Sequence, residues 1–176
     1  GGESKVGHMW YSLNDGNGNT ASYGFSPIVD SNPFNDPFGP GKVNAHGPDD
    51  SYYQNSEYSR TIEITQTQYD AMKNFGENPA TGGFSTYYNG LNNSCIDFTW
   101  RALEIGGLNP SGYQGSLWPT NNIEDLRKFI ELSPIELAKT EAFLKAAFPL
   151  SWDLGDPIIS PILGTTPDPL VKTIHY

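Results

Sequence analysis

The stretch Asn92-Asn93-Ser94-Cys95-Ile96-Asp97-Phe98-Thr99-Trp100 holds the only cysteine of a 176-residue chain. Polar residues precede the cysteine, and Ile96, Phe98, Leu103 and Ile105 then begin an apolar pattern that runs to Gly106. Ser94 followed three residues later by Asp97 is an acidic variant of the capping box. It predicts a helix over about 95 to 105, stopped by Gly106-Gly107. Cys95 would then lie in the first turn, where backbone N–H groups and the positive end of the helix dipole favour a thiolate. A lone cysteine in a soluble domain is most often a small buried hydrophobe. A seat at a helix start behind an Asn-rich loop makes this one a candidate nucleophile.

A nucleophile of this kind needs a base. Gly7-His8-Met9-Trp10-Tyr11-Ser12-Leu13 alternates loosely and is rich in aromatics, as a strand is. Asn14-Asp15-Gly16-Asn17-Gly18-Asn19 is a strong hairpin turn, and Thr20 to Ser26 is the expected return strand. His8 therefore lies on the first arm of a hairpin, with cross-strand neighbours expected from about Ser22 to Phe25. An imidazole within reach of Cys95 would hold the thiolate as an ion pair and protonate the leaving group. A third polar group usually fixes the histidine tautomer. The return strand offers Ser22, Tyr23 and Ser26, of which Ser22 is preferred. The backbone N–H of Cys95, with Asn92 or Asn93, would form an oxyanion hole. Asp97 is read as the cap of its own helix rather than as a partner of His8. His46, in Asn44-Ala45-His46-Gly47, is the weaker alternative base.

Around this pair the chain reads as follows. Residues 27 to 58 are a proline-punctuated polar loop, expected to act as a flap with Phe34, Phe38, Tyr52 and Tyr53 as contacts. Arg60 to Ile64 alternates as a strand. Thr65 and Gln68 form a capping box that opens a helix with Tyr69, Met72 and Phe75 on one face. A short strand is expected within 84 to 88 and a third helix over about 122 to 132. Ser133-Pro134-Ile135-Glu136 opens a fourth, to about Phe148. The tail 149 to 176, with five prolines, is expected to lie on the surface. Trp10, Tyr23 and Trp118 are expected to line the substrate rim.

Composition narrows the function. Lys and Arg total ten against twenty acidic residues, a net charge of −10. Nucleic-acid binding needs clustered cations, so it is disfavoured, as is electrostatic docking on anionic lipid. One cysteine forms no internal disulfide and no zinc motif, and His8, His46 and His175 show no ligand spacing. No P-loop is present. No cofactor and no metal are expected. No apolar run approaches the ~20 residues needed to span a bilayer. Gly1-Gly2-Glu3-Ser4-Lys5 lacks the apolar core of a signal peptide, so action outside the producing cell would require another export route.

The order of these pieces resembles the circularly permuted NlpC-type papain-like hydrolases, in which the histidine hairpin precedes the cysteine helix. The carriers are Gly7 to Leu13, Ser22-Tyr23-Gly24-Phe25, and Asn92 to Phe98. The last is similar to that superfamily's Asn-Cys-x-x-Phe pattern, with Ser94 as one extra residue between asparagine and cysteine. The resemblance implies an α+β, papain-like fold with a small antiparallel sheet packed against the cysteine helix. It implies a single domain over 1–176, with a core at 6–106, a helical extension at 107–148 and a surface tail at 149–176. Members act as peptidoglycan amidases or endopeptidases, or as lipid acyltransferases or phospholipases. The chain also resembles antibacterial effectors of type VI secretion, which implies delivery to a target-cell periplasm, secretion machinery and an immunity protein as partners.

Three readings follow. The first is a cysteine hydrolase of cell-wall peptide. The second is a phospholipase or acyltransferase with the same site, marked by an exposed apolar patch. The third is a non-enzymatic binding module in which Cys95 and His8 are structural.

Overall fold

The computed structural model describes residues 7–28, 38–45, 58–130, 138, 139, 142 and 167–175. The turn at 15–19 starts the fold. Asp15 accepts the N–H groups of Asn17 and Asn19 at 2.8 and 3.1 Å, and Gly16 and Gly18 supply φ values of 79° and 93°. Positive φ is what a tight hairpin requires, and glycine adopts it without a Cβ penalty. The turn joins β1 (Trp10–Asn14) to β2 (Thr20–Pro27), with Trp10 opposite Gly24 and Ser12 opposite Ser22.

The stretch expected to be one long loop contains a strand, β3 (Phe38–Ala45). It escapes a sequence reading because it is Gly- and Pro-rich and works in two halves. Gly41–Ala45 pairs with β2, while Phe38–Pro40 pairs with β5 (Tyr87–Asn89). Pro40 has no N–H to give, and its carbonyl accepts from Ile28 N–H at 2.9 Å. Phe34, His46, Tyr52 and Tyr53 lie outside the described residues.

β4 (Ile62–Thr65) leads directly into α1 (Gln66–Glu77) through the expected capping box, with Gln68 N–H to Thr65 Oγ1 at 3.2 Å and Thr65 N–H to Gln68 Oε1 at 3.0 Å. α2 (Cys95–Ile105) and α3 (Ile123–Ile130) follow. Of the expected fourth helix only Ala138, Lys139 and Ala142 are described, all helical.

The tail departs most from expectation. Pro167–His175 forms β6, which lies between β4 and β1 in an antiparallel sheet of order β4-β6-β1-β2-β3-β5. The prolines misdirect the reading, because they sit at the start of the strand beside a register shift against Glu63 and Thr65. Strand ends and bulges are where a sheet tolerates a missing N–H. The region 6–106 is thus not a closed core, since its sheet is completed by the far end of the chain.

The architecture is α+β, with α1 and α2 packed on one face of the sheet. Tyr11, Tyr23 and Phe25 rise from that face, and Phe98 of α2 stacks on Tyr11 and Phe25 at 5.9 Å and on Phe75 of α1 at 5.1 Å. Met9, Leu13, Ile62, Ile64, Met72, Ala102 and Leu103 complete this core. Burying such side chains contributes about 1.5–3 kcal/mol each.

Candidate active site

Ser94 and Asp97 close the N-terminus of α2. Asp97 Oδ2 accepts the Ser94 N–H at 2.8 Å and its hydroxyl at 3.0 Å, while Ser94 Oγ accepts Ile96 N–H at 3.2 Å. Burial pushes the Asp97 carboxyl above its ordinary value, and the Ser94 hydrogen bonds pull it partly back. Asp97 is therefore a cap, as expected from sequence. Cys95 is the first residue of the helix and is 6 % exposed, on the apolar cluster that includes Met9 and Phe98.

His8 lies just before β1 and is 7 % exposed. Its ring stacks on Trp10, with centroids 5.7 Å and planes 22° apart. Tyr11 and its cross-strand partner Tyr23 point at the helices, and the Tyr11 hydroxyl donates to the Met72 carbonyl of α1 at 2.8 Å. Side chains alternate along a strand, so Trp10, Ser12, Ser22 and Gly24 take the opposite face, and His8 shares it with Trp10. Cys95 thus belongs to the core between the helices and the sheet, while the His8 ring lies against Trp10 just ahead of β1. Sequence spacing could not show this, because the face a side chain takes depends on which side of the sheet receives the helices.

The register also corrects the third residue. Ser22 faces Ser12, four residues from His8, a rise of about 13 Å along the strand. Ser22 Oγ is buried with no hydrogen-bond partner among the described residues. The pairing of β1 with β2 ends at Trp10 and Gly24, short of His8. Ser26 Oγ accepts from Asn44 Nδ2 at 2.9 Å.

Asn93 is not available as an oxyanion donor. Both hydrogens of its amide are used, to the carbonyls of Ser85 at 2.8 Å and Tyr87 at 2.7 Å, and its backbone pairs with Asn89. It ties the loop before Cys95 to β5. Asn92 is exposed beside it. The expected rim is corrected as well. Trp10 and Tyr23 are fully buried, and the Tyr23 hydroxyl donates to Glu77 at 3.3 Å, its pKa raised by burial and by that carboxylate. Trp118 alone of the three is exposed, at 51 %.

Two features went unread in the sequence. Asn122 is buried, accepts the Trp100 indole N–H at 3.0 Å and Ser116 N–H at 2.7 Å, and donates to the carbonyls of Ser116 and Trp118. It shapes the loop that carries Trp118. A cleft of about 430 Å³ also runs along the outer flank of α2, lined by Asn92, Asn93, Asp97, Arg101, Glu104 and Tyr113 among others. The signal for it was the polar stripe Asp97, Arg101, Glu104, one and two turns apart on a helix. Among the described residues no three His, Cys, Asp or Glu side chains gather as metal ligands.

Comparison of the chain with protein-family models, with curated proteins and with solved structures gives no match.

Proposed function

We propose that the protein is a cysteine hydrolase of the permuted NlpC, papain-like kind that cuts an amide bond in bacterial cell-wall peptide. The observation that carries the reading is the seat of Cys95, the first residue of a closed-capped helix packed on the hairpin that His8 opens. In this reading the thiolate attacks the amide carbonyl, the Cys95 N–H and Asn92 stabilise the oxyanion, and the imidazolium of His8 protonates the departing amine. Water then releases the acyl group from sulfur. The reaction requires the His8 imidazole, which rests on Trp10, to come within hydrogen-bond reach of Cys95. Strand pairing begins at Trp10, and Gly7 has φ 81°, so the ladder does not hold residue 8. Delivery to a target-cell periplasm, with an immunity protein covering the site, belongs to the same proposal.

The test pairs two measurements. Iodoacetamide should alkylate Cys95 rapidly near pH 7 and slowly in His8→Ala, and purified sacculi should release new muropeptides with wild type but not with Cys95→Ala. Slow alkylation together with unchanged sacculi would leave the chain a binding domain.

A second reading has its own support. Ile28, Phe38, Tyr87 and Leu91 are 55, 42, 54 and 67 % exposed. They gather where β2 ends, β3 and β5 pair and the loop to Cys95 begins. An apolar patch beside the site favours an acyl ester of membrane lipid as substrate. Release of fatty acid from phospholipid vesicles, with inert sacculi, would establish it in place of the first.

A further inference from the structure

We infer that Asn17, at the tip of the first hairpin, is a site of self-modification, where the folded chain converts the side-chain amide into an aspartyl or isoaspartyl carboxylate without an enzyme. The inference does not rest on the hydrolase reading and uses neither Cys95 nor His8. The chemistry needs an asparagine followed by a residue whose backbone nitrogen can reach the side-chain carbonyl carbon. Glycine serves best, since no Cβ shields that nitrogen and its dihedral angles are the least restricted. The chain holds two such pairs, Asn17-Gly18 and Asn89-Gly90, and the fold treats them oppositely.

Asn17 and Gly18 are exposed. The Asn17 backbone N–H donates to Asp15 Oδ1 at 2.8 Å, whereas its side-chain amide and the Gly18 N–H make no hydrogen bond among the described residues. A Cβ at Gly18 would meet nothing within 4 Å, so the approach is open. Asn89, by contrast, belongs to β5. Its side-chain oxygen accepts the Leu91 N–H at 2.9 Å, its own N–H donates to Asn93 at 3.1 Å, and its carbonyl accepts from Asn92 and Asn93. Ring closure turns the asparagine about its Cα–C bond, which a loop tip permits and a bonded ladder opposes. In the step itself the Gly18 nitrogen bonds to Asn17 Cγ and gives up its proton. The Cγ–Nδ2 bond breaks, and ammonia departs with that proton. Water then opens the five-membered imide at either carbonyl. One opening leaves aspartate, and the other leaves isoaspartate, which adds the side-chain methylene to the main chain. Both put a new carboxylate beside Asp15, whose oxygens hold the turn through Asn17 and Asn19.

The test is to store the full chain at mildly alkaline pH, folded and in urea, and to follow the two peptides by mass spectrometry. In the folded chain the Asn17 peptide should gain one mass unit about tenfold faster than the Asn89 peptide, and in urea the two should age at similar rates. The aged Asn17 peptide should split into two forms of equal mass. One should co-elute with the same peptide from Asn17→Asp, and the other, the isoaspartyl form, should elute apart from it. Asn17→Gln, whose longer side chain cannot close the five-membered ring, should leave that peptide unchanged in mass. Ageing of Asn17 no faster than of Asn89 in the folded chain, the same ratio of rates in urea, or a single product identical to Asn17→Asp would overturn the inference.

Discussion

Ser94 gives both its backbone N–H and its hydroxyl to a single oxygen of Asp97, at 2.8 and 3.0 Å, and so the helix that begins with Cys95 is closed before its first turn. Ser94→Ala should cost about 1 kcal/mol of stability, measured by urea unfolding. Because the carboxyl is raised in the folded state, the folded protein binds the Asp97 proton more tightly than the unfolded chain does. The penalty on the carboxylate is absent below the ordinary value of 3.8 and grows as pH rises through the raised one. Asp97→Asn should therefore gain stability relative to wild type as pH climbs through that window and hold a constant difference above it. A difference independent of pH would contradict the assignment.

Gly76 lets α1 lie close on the sheet. A Cβ there would meet the Tyr23 ring at 2.5 Å and the Tyr11 hydroxyl at 2.6 Å, both from buried side chains. Gly76→Ala should lower stability by about 2 kcal/mol through overpacking. Gly83, with φ 74° and open space around its Cβ position, is the control: Gly83→Ala should cost about 1 kcal/mol from backbone strain alone. Thermal unfolding of the two variants should rank them in that order.

Asn122→Ala removes the partner of the buried Trp100 indole together with three backbone contacts of the loop at 116–118. The expected loss is about 2–3 kcal/mol, the cost of leaving buried polar groups unmet. Tryptophan fluorescence should shift to the red as the loop opens. An unchanged spectrum and urea midpoint would show that water replaces the side chain without penalty.

Removing residues 167–176 deletes the strand that joins β4 to β1. The shortened chain should show no cooperative urea transition at 25 °C, because two ladders lose their partner together. Retention of a cooperative transition with the full-length slope would mean that the remaining strands re-pair without β6.

Local features were legible. The two capping boxes, at Thr65 with Gln68 and at Ser94 with Asp97, were readable because they join residues three apart, and the hairpin turn because Gly16 and Gly18 follow Asp and Asn. β3 and β6 were not, since their prolines and glycines forbid little once a strand sits at an edge, a bulge or a change of partner. The rim failed for a related reason: Trp10 and Tyr23 have the residue types of a rim, and both are buried.

By itself the sequence determined that Cys95 begins a capped helix and that a hairpin closes at the turn 15–19, because both rest on hydrogen bonds and dihedral angles between near neighbours in the chain; His8, expected on the first arm, lies ahead of it, since β1 begins at Trp10. Only the tertiary structure decided that the His8 ring stacks on Trp10 while Cys95 joins the apolar cluster of Phe98, and that the end of the chain completes the sheet. Strand order and facing are set by which surfaces bury one another across the whole fold, and no local spacing carries that information.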